Sequence, residues 1–179
     1  MYEKVLNKYG VAQIGYYVES IEETAELLKR AFGAGPFVDI GVNPPKSCKF
    51  RGEEIELLQR CALGHLNNVQ IELIEVHSEA GGPYKEMGRY GLHHLCIWVD
   101  DVDAAVADLA AEGFEVAMEM EAGSGLRVVY VDCRDALGTY IEVNAPIESL
   151  WQGVKAASMA WDGEKAVIGM AELAASLGR

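Results

Sequence analysis

Several things are scarce in this 179-residue chain, and each scarcity narrows what it can do. Positive charge comes first: 15 Lys and Arg stand against 28 Asp and Glu, a formal net charge of -13. Nucleic-acid binding needs a basic footprint to meet phosphates, so DNA and RNA are not expected partners. The same deficit argues against anionic membrane surfaces, though not against a small anion met by one local cation. Long apolar runs are also missing. No stretch approaches the ~18 apolar residues of a transmembrane helix, and residues 1–9 lack the apolar region of a signal peptide. Cysteine pairing is absent too: Cys48, Cys61, Cys96 and Cys133 are scattered without a C-x-x-C. They read as free thiols, and the expected compartment is the cytoplasm. Half of the residues are hydrophobic, which is ordinary for a globular protein of a size that can bury a sound core.

What the chain does have is repetition. Gln13-Ile14-Gly15-Tyr16-Tyr17-Val18 runs into Ser20 and an apolar-periodic helix, and His94-Leu95-Cys96-Ile97-Trp98-Val99 runs into Asp101 and another. Each copy later reaches an aliphatic strand around one glutamate, Ile71-Glu72-Leu73 and Ile141-Glu142-Val143. Self-similarity of this kind is the first thing to read in a sequence. Strand alternation puts Gln13, Gly15 and Tyr17 on one face. It puts His94, Cys96 and Trp98 on the equivalent face, with His93 turned the other way as a structural residue.

The two helices start alike. Ser20-Ile21-Glu22-Glu23 has the form of a capping box, and Asp101 is the matching N-cap. Ile21, Ala25, Leu28 and Phe32 form one apolar stripe; Val102, Ala105, Val106 and Leu109 form the other. Gly33 and Gly113 mark the ends. Further strands are expected at 55–63 and 69–76 around a turn at 64–68, and at 115–119, 127–132 and 139–144. Each module thus reads βαβββ. Residues 77–93 read as a connection, and 148–179 as one or two helices outside the repeat.

This arrangement resembles the vicinal oxygen chelate superfamily: glyoxalase I, methylmalonyl-CoA epimerase, extradiol dioxygenases and bleomycin-resistance-type binding proteins. The resemblance rests on Gln13 to Val18, Val69 to Glu75, Gly91 to Asp101 and Leu137 to Val143, within residues 11–146. It implies an α+β fold in which two tandem βαβββ modules (about 11–80 and 91–147) form one curved, cup-shaped mixed sheet. Residues 1–147 would be a single domain, and 148–179 a C-terminal helical extension. It also implies one divalent metal held by Gln13, Glu72, His94 and Glu142. That set is similar to glyoxalase I of the larger zinc-using type, whereas the stretches 69–75 and 91–101 are similar to the epimerase-like branch. Both alternatives stay open.

One imidazole and three oxygen donors suit Zn, Ni, Co, Mn or Mg. Such an ion polarises a carbonyl and acidifies the neighbouring C–H, and Glu142 or Glu72 could carry the proton. The expected function is therefore a glyoxalase I-like lyase or an acyl-CoA epimerase-like isomerase acting on a small thioester or thiohemiacetal. The alternative is a drug-sequestering type of binding protein on the same fold. An extradiol dioxygenase fits less well, because non-haem Fe(II) oxygenases use two His and one carboxylate. Expected partners are a small-molecule substrate and, as an option, a second copy in a homodimer; the C-terminal stripe of Leu150, Trp151, Val154, Met159 and Trp161 reads as packing or as an oligomer interface. Tyr17 and Trp98 share the inner face and read either as pocket-lining residues or as plain core. Glu75 faces away from Glu72, and Arg127 reads as a surface ion pair.

Overall fold

The computed structural model describes residues 4–178, so residues 1–3 and 179, the outer ends of the expected domain and extension, lie outside it. A short helix α1 (Val5–Tyr9) leads into β1 (Gln13–Tyr17), α2 (Ile21–Phe32), β2 (Phe37–Val42), β3 (Ser47–Phe50) and β4 (Glu53–Glu54). Then come β5 (Gln59–Leu66), β6 (Val69–Val76) and α3 (Gly82–Glu86). The second half runs β7 (Gly91–Trp98), α4 (Val102–Ala110), β8 (Glu115–Glu121), β9 (Arg127–Asp132), α5 (Arg134–Leu137) and β10 (Tyr140–Asn144). It ends with α6 (Glu148–Met159), β11 (Val167–Gly169) and α7 (Met170–Leu177).

The strands join in the order β11-β2-β5-β6-β1-β7-β10-β9-β8-β3-β4. Two modules are visible in that order, β2-β5-β6-β1 and β7-β10-β9-β8, joined where β1 pairs antiparallel with β7. The β3–β4 hairpin belongs to the first half by sequence but pairs with β8 of the second. The fold is the curved α+β sheet with C-terminal helices that the resemblance implied.

Alternation explains the two faces. Ile71 and Leu73 of β6 turn outward onto Ile21 and Ala25 of α2, while Ile97, Ile141 and Val143 turn onto Ala105 and Leu109 of α4. Gln70, Glu72, His94, Glu142 and Asn144 therefore face inward. Ser20 Oγ accepts from the Glu23 amide and Asp101 Oδ1 from the Ala104 amide, so both N-caps form. The Ile21 amide is taken by Glu75 Oε2 instead (3.1 Å), which uses Glu75 at the outer face.

Several boundaries differ from expectation. The first module has a further strand, β2, directly after α2, where none was expected; its Pro36 and Gly41 surroundings disguise it. β5 starts at Gln59, not 55, and runs through Gly64 and His65, so the turn is only Asn67-Asn68, with Asn67 at φ 54. Gly64 is there for packing: a Cβ would lie 2.7 Å from the Phe37 ring. Residues 77–93 contain α3 and the start of β7. The C-terminal segment adds β11, which pairs parallel with β2. Phe32, placed in the α2 stripe, is 65% exposed, because the stripe leaves the sheet at the last helical turn.

Candidate metal centre and ligand cavity

The register assembles the site across four strands. One inner row runs Gln70, Gln13, Cys96, Glu142, Tyr130 over β6, β1, β7, β10 and β9. The adjacent row runs Leu63, Glu72, Gly15, His94, Tyr140. Gly15 thus separates Glu72 from His94, and its lack of a side chain lets the imidazole lie over the strand. A Cβ on Gly15 would fall 1.9 Å from His94 Cε1. His94 Nε2 then reaches Glu142 Oε2 at 3.1 Å and Glu72 Oε2 at 3.4 Å.

One donor atom from each of these three residues lies within 4.8 Å of the others. His94 is fully buried and Glu142 is 5% exposed. Burial opposes a proton on His94, but Glu142 and Glu72 outweigh it and its pKa is raised. Burial raises the pKa of Glu142, and the repulsion from Glu72 adds to this against the pull of His94. A buried and a half-buried carboxylate around one buried imidazole are costly to hold without a cation. His94 Nε2 also makes no well-formed hydrogen bond of its own. The donor set therefore fits a divalent ion.

Gln13 stands in the cavity wall beside this trio. Its amide nitrogen donates to Gln70 Oε1 at 2.9 Å, which leaves its carbonyl oxygen as the atom to offer a cation. Glu142 Oε1 accepts from Asn144 Nδ2 and lies 3.6 Å from Cys96 Sγ, and Tyr130 pairs with Glu142 in the sheet register. Tyr130 in turn meets Tyr84 hydroxyl to hydroxyl at 3.0 Å. Supports of this kind fix the orientation of ligating groups.

His93 does not face away from His94. A β-bulge between Gly15 and Tyr16 leaves His93 without a partner on β1, since Gly15 pairs with His94 and Tyr16 with Leu92. The extra residue breaks alternation and both rings turn inward. Their Nδ1 atoms lie 3.1 Å apart, and His93 stacks on Tyr84 with centroids 4.4 Å apart. Burial holds the His93 pKa well below its ordinary value, so the ring is neutral and can accept from His94 Nδ1. That hydrogen bond leaves the Nε2 lone pair of His94 for a cation.

Glu72 and Glu142, with His94 buried between them, form the floor of a cavity of about 410 Å³. Trp98 and Val128 line it from the sheet, and Leu150 and Trp151 from α6. Tyr17 packs on Tyr84 and Tyr90 and is not part of the wall. Arg127 is an exposed surface cation paired with Asp103 and Glu119.

Residues 12–130 match the model of the glyoxalase/bleomycin resistance protein/dioxygenase superfamily. The chain belongs to this superfamily. Among solved structures, a methylmalonyl-CoA epimerase from Mycobacterium tuberculosis is similar at TM-score 0.58 and 18% identity, over 85% of this chain and 96% of that one. A hypothetical protein from Bacillus halodurans C-125 gives 0.56 and 18%, over 78% and 95%. A Streptomyces coelicolor methylmalonyl-CoA epimerase variant in complex with 2-nitronate-propionyl-CoA gives 0.52 and 19%, over 76% and 96%. At these identities the superfamily likeness is one of fold. No curated protein matches in sequence.

Sequence reasoning named Gln13, Glu72, His94 and Glu142 but passed over the residues around them. Gln70 and Asn144 sit two positions from Glu72 and Glu142 on the same strand faces, so the same alternation could have found them. Trp151 lies outside the repeat, and the His93 bulge has no local signature.

Proposed function

We propose that this chain is a divalent-metal-dependent enzyme that moves a proton α to a carbonyl of a small thioester or thiohemiacetal, as a glyoxalase I-like lyase or an acyl-CoA epimerase-like isomerase. One observation carries this reading: Glu72, His94 and Glu142 converge, and Glu72 and Glu142 open with Gln13 onto one cavity. These four residues would hold the ion. When bound, it supplies Lewis-acid polarisation of a substrate carbonyl, which acidifies the adjacent C–H. Glu142 is the leading base. Burial raises its pKa above the ordinary carboxylate value, which makes it a better proton acceptor, and Asn144 and Cys96 hold its carboxylate in place. Glu72, on the opposite side of His94, can serve the other face of the substrate. Delivery of the proton to the same carbon epimerises it; delivery to the neighbouring carbon isomerises the substrate.

The test is deuterium incorporation from heavy water into acyl-CoA thioesters and hemithioacetals by the metal-loaded protein. Exchange with one substrate class is expected, reduced by about 10²-fold or more in Glu142→Gln. No exchange with either class, in protein that binds metal stoichiometrically, counts against the enzyme. A binding protein on the same fold is the second reading, favoured by the tryptophan-lined upper wall of the cavity. It gains if ligands bind tightly to metal-free protein and leave unchanged.

A further inference from the structure

The cavity carries information about its ligand in the half lined by Trp98 and Trp151, which adjoins the metal site through Gln70 and Asn144. No Lys or Arg lines it among the described residues, and its only charged groups are Glu72 and Glu142. The nearby cations are engaged elsewhere. Lys46 is paired with Glu121, and Lys155 sits over the Trp151 ring at 4.8 Å from the centroid. A carboxylate or phosphate placed in this half would meet no compensating charge and would face the two glutamates.

The upper wall is aromatic and carries polar atoms with no partner among the described residues. Trp98 of the sheet and Trp151 of α6 meet edge to face, 5.8 Å between centroids. Gln70 is 3% and Asn144 6% exposed, and both line the cavity. Gln70 Nε2 and the Trp151 indole N–H are buried donors without acceptors, and Asn144 Oδ1 is a buried acceptor without a donor. Groups of this kind are normally satisfied in a working protein, and leaving them unpaired costs about 1–3 kcal/mol each.

We infer that this half of the cavity is a subsite for an uncharged, ring-bearing group with an amide-like polar end. The ring lies against Trp98 and Trp151, the carbonyl-type acceptor takes Gln70 Nε2 or the Trp151 N–H, and a donor is given to Asn144 Oδ1. Trp151 lies beyond the residues that match the superfamily, so the C-terminal helix α6 supplies one wall of the subsite to Trp98, Gln70 and Asn144 of the sheet. The inference rests on the cavity being the substrate site proposed above, but not on the metal.

The experiment is calorimetric titration of the full chain, as purified and again after EDTA treatment, with 3-phenylpropionamide and with 3-phenylpropionate. The amide is expected to bind in both preparations, at least about ten-fold more tightly than the carboxylate after EDTA treatment. Gln70→Leu and Trp151→Phe should each weaken the amide by about ten-fold while the thermal midpoint stays within a few degrees. Trp151→Phe keeps an aromatic wall but removes the N–H together with part of the indole, so Gln70→Leu, which leaves both tryptophans in place, separates loss of a donor from a collapsed wall. Carboxylate binding equal to or tighter than the amide, or no amide binding at millimolar ligand, overturns the subsite. Amide binding in protein that takes up no metal would instead sink the metal-dependent reading and leave the subsite standing.

Discussion

Gly15 shows how much of this site depends on a single missing side chain. The imidazole of His94 occupies the space a Cβ would fill, 1.9 Å from Cε1 and 2.2 Å from Nε2. Gly15→Ala must therefore push the ring off Glu72 and Glu142. Overpacking of this kind costs about 1–3 kcal/mol. Displacing a ligating ring should weaken metal binding by at least about 10–100-fold, the range lost when only a ligand's support is removed. Calorimetric metal titration of the variant measures the second effect, and urea denaturation the first. Unchanged metal affinity would mean that His94 is not a ligand. In the sequence Gly15 is merely a glycine in a strand. Its role depends on β1 and β7 meeting in one register, which no local pattern reveals. His94, Glu72 and Glu142 were legible because each repeats at a matched place on an alternating strand. His93 was misplaced because one bulge undoes alternation for one residue.

At the scale of elements, the contact between β5 and α6 was the least legible part of the fold. Residues 148–159 do form a helix, but the sequence does not say where it lies. In the structure Val154 and Ala157 pack on Val38 and Leu63, which places α6 over the inner face of the first module. It buries His65, which is 1% exposed and 5.9 Å from the Trp151 ring. His65 read as a turn residue because Gly64 and Asn67 bracket it; in fact it is mid-sheet. Burial, with a smaller contribution from Lys155, lowers its pKa from 6.5 to about 4. The unfolded chain therefore takes up a proton near pH 6.5 that the folded chain refuses. Stability from this residue is complete above pH 6.5 and falls as the pH drops toward 4. Between pH 7 and pH 5 the loss is at most about 2 kcal/mol. Denaturation curves at the two pH values should show His65→Leu losing correspondingly less than wild type. Equal losses would mean that His65 is protonated, or open to water, in the folded state.

Across the whole molecule, the two modules meet along the β1–β7 seam and each sends residues to one place. Gln13 and Glu72 come from the first, His94 and Glu142 from the second. The two-module plan was readable because the chain states it twice, and the outward rows of Ile, Leu and Val fix which faces are buried. The crossing of the β3–β4 hairpin to β8 was not readable, because pairing between distant edges leaves no periodic trace. A site that spans the seam couples ligation to the association of the halves, so metal bound only by the folded state should also stabilise it. The most direct measurement is metal content by mass spectrometry after stripping and reloading with Zn, Ni, Co, Mn or Mg, for wild type beside His94→Ala and Glu142→Ala. One equivalent of a divalent ion in wild type, lost in both variants from opposite sides of the trio, is the expected result. No stoichiometric ion in wild type, or an ion retained when either residue is removed, would contradict a metal centre on this floor.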